Sequence, residues 1–597
     1  MEHYPDLNRT KAFTEIGKLK KVFLREVLTP ERLKGFSIPA GGGLTYNYSA
    51  MPVDSEIIGK LQDLAGEQKL IEQYRLLLQG EVMNTGESRK VLHHLTRGEP
   101  AGLVPDTLPD SPGSPNSHNP GEFYRDQLEK TVHFAEKVHA GEIKGSTGKP
   151  FSTVVQIGIG GSDLGPRALY SALETYAKAE GKLKLKAEFI SNVDPDDAAG
   201  VLDRINPETT LFILVSKSGT TQETLANREL VIRRMRSLTP GTSAGSANNG
   251  IPGIDPGKHM VAVTSDASPL AESPDYLESF YIDDYIGGRY SSTSPVGGVL
   301  LSLAFGPQVF QELLQGAHDA DKKALETDIK KNPSLMDALI GVYLRNCLGY
   351  PAVAVLPYSQ GLHRFPAHLQ QLDMESNGKQ TTRRGETVGY QTGPVVFGEP
   401  GTNGQHSFYQ LLHQGTDIIP LQFIGFTRCQ SGEDVSIDGS SNQQKLNANL
   451  AAQIIAFALG KEHDDLNKQF PGERPSSLIH GDRLTPQALG ALLAHYENKV
   501  MFQGFCWNIN SFDQEGVQLG KVLTKQVLDR GPSTSDSLTR KALTQESEGR
   551  EAASGAAKME TEAEPPSGPG GEPGAETKDG ENQSRRLLLQ LADILGI

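Results

Sequence analysis

The run Leu211-Phe212-Ile213-Leu214-Val215 stops abruptly in Ser216-Lys217-Ser218-Gly219-Thr220-Thr221, with Gln222-Glu223-Thr224 next. Five successive apolar residues leave no polar face, so a strand made of them must be covered on both sides. That is the condition of a parallel sheet flanked by helices. The hydroxyl cluster then reads as a loop and a helix start. Ser and Thr hydroxyls, the free amides of a first helical turn and the positive end of the helix dipole together suit a phosphate monoester. Gly219 lets such a loop turn tightly. The same residues also read as a simple N-cap built on Thr220 or Thr221, and both readings stand at this point.

Short apolar runs around this one alternate with helical patterns: Thr153 to Ile157, Ala187 to Ser191 and His259 to Thr264, then Ala352 to Leu356, Pro394 to Phe397 and Ile419 to Gly425. This rhythm predicts two α/β units, each a doubly wound parallel sheet with crossover helices. We expect residues 1–120 to be a mostly helical arm packed on the core, with Ile57 to Leu64, Gln68 to Leu78 and Arg89 to Thr96 as amphipathic helices. The first α/β domain is expected over 121–310, after a loop at Val104 to Pro120, and the second over 311–530. Leu238 to Gly257 is expected to be a long surface loop. Residues 531–597 contain no aromatic residue and are rich in Glu, Gly, Pro, Ser and Ala, the composition of a largely disordered acidic tail. A short helix is expected over Ser584 to Leu595.

A net charge of −15 over 597 residues argues against nucleic acid as a partner, because an acidic field repels phosphates unless a basic patch intervenes, and none is visible. No stretch has the length and apolarity of a membrane span, and Met1-Glu2-His3-Tyr4-Pro5-Asp6 has none of the features of a signal sequence. Cys347, Cys429 and Cys506 are odd in number and far apart, which fits a reducing, cytoplasmic setting and gives no disulfide framework. None of the 15 His forms a recognisable ligand motif, so no metal is expected.

Gln156-Ile157-Gly158-Ile159-Gly160-Gly161-Ser162-Asp163-Leu164-Gly165 is a second strand-to-helix junction. Its glycines invite a dinucleotide reading, yet Asp163 stands where the third glycine is needed and would put a carboxylate at the pyrophosphate. The better reading has Gly161 and Ser162 close to a substrate whose phosphate sits in the 216–221 loop.

Four further segments carry chemistry: Asp284-Tyr285-Ile286-Gly287-Gly288-Arg289-Tyr290-Ser291-Ser292, Gln370-Gln371-Leu372-Asp373-Met374-Glu375-Ser376-Asn377-Gly378-Lys379, Gly398-Glu399-Pro400-Gly401-Thr402-Asn403-Gly404-Gln405-His406, and Asn510 to Lys521. With the two loops above, in collinear order from about residue 40 to 525, the chain resembles the glucose-6-phosphate isomerase family, also called phosphoglucose isomerase. The resemblance implies two sugar-isomerase (SIS-type, flavodoxin-like) domains, a homodimer, and interconversion of glucose 6-phosphate and fructose 6-phosphate without metal or organic cofactor. It further implies Glu375 as the proton-shuttling base, Arg289 as the cation beside the enediolate, and His406 and Lys521 as the ring-opening pair, His406 coming from the other subunit. Ser216, Lys217, Ser218 and Thr221 resemble the phosphate cradle, and Gly161, Ser162, Glu223, Gln371 and Gln514 further substrate contacts. The residue types suit the chemistry. A carboxylate held over a weakly acidic C–H can carry one proton between adjacent carbons, and a guanidinium stabilises enediolate oxygens without competing for that proton. Acceptance of mannose 6-phosphate, and a non-catalytic sugar-phosphate sensor on the same domains, are the alternatives; the sensor has no use for Glu375, Arg289, His406 and Lys521 together.

Overall fold

The computed structural model describes residues 4–99, 119–237 and 254–529. The expected loops at 104–120 and 238–257 fall largely outside these, and the tail from 531 with its terminal helix falls wholly outside. The chain forms two units, residues 1–513 and 514–597.

In the first unit an N-terminal hairpin, β1 (Ser37–Gly41) and β2 (Leu44–Asn47), precedes the amphipathic helices Ser55–Glu67 and Leu70–Leu78. The expected helix at 89–96 is instead a bridge between Asn84 and Arg89 followed by the 3-10 segment His93–Arg97. The reason is tertiary: Arg97 is buried with its guanidinium on Asp321 and Glu497, so this segment follows a long-range charge pairing and not an apolar stripe.

Strands β3 (Thr153–Ile157), β4 (Lys186–Ile190), β5 (Thr210–Val215), β6 (Met260–Thr264) and β7 (Ser279–Tyr281) form one sheet in the order β4-β3-β5-β6-β7, every pairing parallel. As the apolar run requires, β5 is buried throughout. Its alternate residues serve two cores. Leu211, Ile213 and Val215 face the large central cluster, while Phe212 and Leu214 pack with Val201, Val231 and Met235 of the outer helices.

The second sheet contains β8 (Ala352–Tyr358), β9 (Val395–Phe397), β10 (Leu421–Phe426) and, after the small pair β11 (Ser436–Ile437) and β12 (Ser440–Ser441), β13 (Ser476–Gly481). Its order is β1-β2-β13-β10-β8-β9. The β8, β9, β10 and β13 pairings are parallel, but β2 joins β13 antiparallel, with Asn47 opposite Leu478. The segment before residue 120 therefore contributes two strands to the second sheet besides its helices.

Helix Pro486–Cys506 runs through the core and carries buried polar residues. Burial alone would raise the Asp337 carboxyl, but Lys499 at 3.3 Å and His495 at 3.1 Å hold it below the ordinary range. Gln422 and Tyr46 also donate to it, at 2.9 and 3.2 Å. A buried charge is tolerable when its lone pairs are filled in this way.

His368, on helix Phe365–Gln370, is the opposite case: it is buried and neither ring nitrogen has a protein partner among the described residues. Burial lowers it to about 4, below the ordinary value near 6.5 that the unfolded chain keeps. The folded state thus resists a proton that the unfolded state accepts. Stability from this ring is complete above pH 6.5 and is lost as pH falls toward 4. Between pH 7 and 5 the loss is expected to be about 2 kcal/mol. Urea unfolding of the protein and of His368→Gln at both pH values checks this; an equal loss in the two proteins would acquit the ring.

Candidate active site

In an open parallel sheet, a crevice opens at the carboxyl ends of two adjacent strands whose connections leave in opposite directions. The chain goes from β3 outward to β4 and then returns to β5 on the other side of β3, so the switch point lies between β3 and β5. The loops that follow those two strands are 158–163 and 216–221, the two loops singled out in the sequence.

The first contains the 3-10 turn Gly160–Ser162 and leads into helix Leu164–Ala179. A Cβ on Gly161 would lie 2.2 Å from the carbonyl carbon of Gly288, so only glycine lets the two backbones touch. Asp163 is buried and ion-paired with Arg167 at 2.7 Å, which accounts for a carboxylate in a glycine-rich loop.

In the second loop, Ser216 Oγ donates to Thr221 Oγ1 at 3.2 Å, and Thr220 N and Oγ1 donate to Ser218 Oγ at 3.2 and 3.0 Å. Helix Gln222–Ser237 begins immediately after Thr221, with Glu223 in its first turn. Ser216 is buried, whereas Ser218 is exposed and Thr221 partly so. Lys217 turns away from the hydroxyls: its ammonium donates to the carbonyls of Asp284 and Ile286 at 3.2 and 3.1 Å and sits 3.5 Å from Asp284 Oδ1. Burial lowers its pKa, against the pull of Asp284 and Asp283. The Lys217 side chain therefore ties the hydroxyl loop to the segment that leads to Arg289.

Arg289 is 2% exposed. Its Nε donates to Ser376 Oγ at 2.6 Å, and its Nη2 to the carbonyls of Ser511 and Asp513 at 2.7 and 2.8 Å. These three acceptors fix the guanidinium plane and leave Nη1 3.5 Å from Glu375 Oε1. Glu375 ends a π-helical turn, Gln371–Glu375, that follows β8 and helix Phe365–Gln370. Such turns are rare and gather at functional sites. At its other end Gln371 Nε2 lies 3.3 Å from the position of a Cβ on Gly160. The second sheet thus meets the first through Gln371 at the glycine loop and through Glu375 at Arg289.

His406 is not brought into this group. It lies exposed on the turn Asn403–His406 after β9, and no hydrogen bond or ion pair among the described residues joins it to Glu375 or Arg289. Gln514 and Lys521 belong to the second unit, Lys521 on helix Gln518–Leu528. Sequence reasoning did not single out Ser376, whose hydroxyl links Arg289 to Tyr290 OH at 3.0 Å, or the Ser511 and Asp513 carbonyls. Adjacency to Glu375 was the available signal for Ser376; backbone acceptors carry none.

Two open α/β sheets joined at their loop ends, with hydroxyls at one switch point and a carboxylate and guanidinium at the junction, define the sugar-isomerase class of α/β protein. The phosphoglucose isomerase family model matches residues 47–544. The chain is 58% identical over 534 residues to the glucose-6-phosphate isomerase of Treponema denticola, covering 88% of this chain and 97% of that one. It is 48% identical over 530 residues to that of Borreliella afzelii, covering 88% and 96%. A crystal structure of a glucose-6-phosphate isomerase from Chlamydia trachomatis, 41% identical, superposes with a TM-score of 0.78 over 91% of this chain and 100% of that one. The chain belongs to the phosphoglucose isomerase family.

Proposed function

We propose that this enzyme interconverts D-glucose 6-phosphate and D-fructose 6-phosphate, as in glycolysis and gluconeogenesis. Family membership across most of the chain supports the reaction, and the 3.5 Å approach of Glu375 to a fixed Arg289 is the observation that carries the mechanism. In that mechanism, His406 and Lys521 open the ring, one giving a proton to the ring oxygen and the other taking one from the anomeric hydroxyl. Glu375 removes the proton from C2 of the open aldose, the C2 electron pair moves to form C1=C2, and the C1 carbonyl electrons move to O1. Arg289 stabilises the resulting cis-enediolate. The O2 proton passes to O1 as the carbonyl re-forms at C2, and the C1=C2 electron pair takes the proton back from Glu375 at C1. Ser216, Ser218, Thr221 and the backbone at Lys217 cradle the phosphate; Gly161, Ser162, Glu223, Gln371 and Gln514 line the sugar. The direct test is a coupled assay supplying fructose 6-phosphate and detecting glucose 6-phosphate; no turnover would refute the assignment.

The domain scheme of a packed N-terminal arm and two sugar-isomerase domains divided near residue 310 is part of this reading. So is a cytoplasmic setting, supported by the absence, among the described residues, of a helix long and apolar enough to cross a membrane and by three free thiols. A homodimer completes it, because an exposed His406 with no bond to Glu375 in its own chain suits donation to a second copy. Mixing inactive Glu375→Gln with inactive His406→Ala under subunit exchange is expected to restore one competent site per mixed dimer. Exchange without recovered activity would place the whole site in one chain.

A further inference from the structure

Two residues before Glu375, on the same π-helical turn, Asp373 lines a cavity that the mechanism does not use. Helix Pro333–Asn346, β8, β10 and helix Pro486–Cys506 supply most of its wall. The wall is largely apolar, but three of the residues that line it each have a buried atom with no protein partner among the described residues: Asp373 Oδ1, Tyr496 OH and Gln503 Oε1. Their residues are 8%, 3% and 2% exposed. A buried polar atom left without a hydrogen bond costs about 1 to 3 kcal/mol, so three on one cavity wall call for a shared guest. The space open to the centres of water-sized molecules is ≈ 30 Å³, whereas one water needs about 10 to 15 Å³ on that measure.

The wall chemistry selects the guest. An apolar molecule would leave all three atoms unpaired. The lining already holds two carboxyls, Asp373 and Asp337, and two cations, Lys499 and Arg345, so an anion would face both carboxyls and the Gln503 carbonyl oxygen, and a cation would face the Lys499 ammonium and the Arg345 guanidinium. Water is small enough and both donates and accepts. It also serves either state of Asp373, whose carboxyl burial raises to about 6 although Lys499 opposes that rise.

We propose that this cavity is a hydrated site holding one or two structural water molecules that bridge Asp373 to Tyr496 and Gln503, and that Asp373 is thereby a positioning residue for Glu375. The inference rests on the reading of Glu375 as the base. Ser376, immediately after Glu375, is held by Arg289 and Tyr290; the water bridge holds the turn on the other side of Glu375 in sequence. Misplacing a reacting group by even an ångström can cost about a hundredfold in rate.

The test combines a high-resolution crystal structure of the enzyme with the kinetics of three variants. The native protein is expected to show ordered water within hydrogen-bonding distance of all three atoms. Asp373→Leu, which removes the polar group and fills the space, is expected to lower kcat by about tenfold or more with KM nearly unchanged. Asp373→Asn, which still bonds to water, is expected to restore kcat close to native. Gln503→Met removes another acceptor of the bridge and is expected to lower kcat in the same way, which keeps the test open if Asp373→Leu does not fold. A cavity without ordered water, an unchanged kcat in both apolar variants, or Asn and Leu variants equally impaired would overturn the proposal. Glu375→Gln assayed in parallel separates the two failures: should it keep turnover, the base assignment falls, while the electron density still decides the water.

Discussion

Glu375→Gln is expected to lower kcat by about 10²- to 10⁴-fold, the usual effect of deleting a general base, while a sugar-acid phosphate inhibitor binds almost as before. The amide keeps the size of the side chain and can still accept from Arg289 Nη1, now 3.5 Å from Glu375 Oε1. It cannot take up a proton. The coupled assay reads turnover and inhibitor titration reads binding. Near-native turnover would remove Glu375 from proton transfer, and loss of binding together with turnover would show that the carboxylate charge holds the site together.

Arg289→Lys is expected to lower kcat by about 10²- to 10³-fold, comparable to losing one preorganised donor from an oxyanion site. Lysine keeps the charge but not the planar fork. In this site the fork matters because Nε and Nη2 are already committed to Ser376, Ser511 and Asp513, and only a rigid plane then points Nη1 at Glu375. Because the interaction serves the transition state, kcat and kcat/KM should fall together. A raised KM with kcat retained would make Arg289 a ground-state binding residue. The variant also strips donors from two carbonyls, so its thermal unfolding must be measured to separate chemistry from folding.

What could be read from the sequence followed from which residues had no choice. The run at Leu211 to Val215 can sit only in a doubly covered strand, and β5 is one. By contrast β13, Ser476–Gly481, contains two serines and a histidine around Leu478 and Ile479, too short an apolar run to mark it as a strand paired on both edges. The hairpin β1–β2 is short, contains Pro39 and turns through glycines, features that read as loop. The lysine of the hydroxyl loop could be named from the sequence, but not its direction. Lys217 points at Asp284 and Ile286 because those carbonyls lie beside it only after the sheet has formed. Likewise the resemblance named Glu375 and Arg289 separately; that three acceptors aim one at the other is a fact of packing between residues distant in sequence.

The antiparallel joint between β2 and β13 sets an order of events on the ribosome. The first sheet, β3 to β7, can close as soon as residue 281 has emerged. The hairpin made first of all the strands must wait for the last strand among the described residues, since Asn47 finds Leu478 only after both α/β units have been synthesised. Until then one edge of β2 offers unpaired amides and carbonyls to any passing strand, the usual route to mispairing between nascent chains. Long loop closures of this kind also slow folding. Completion of the second sheet is therefore the step at which chaperone protection would matter most for this chain.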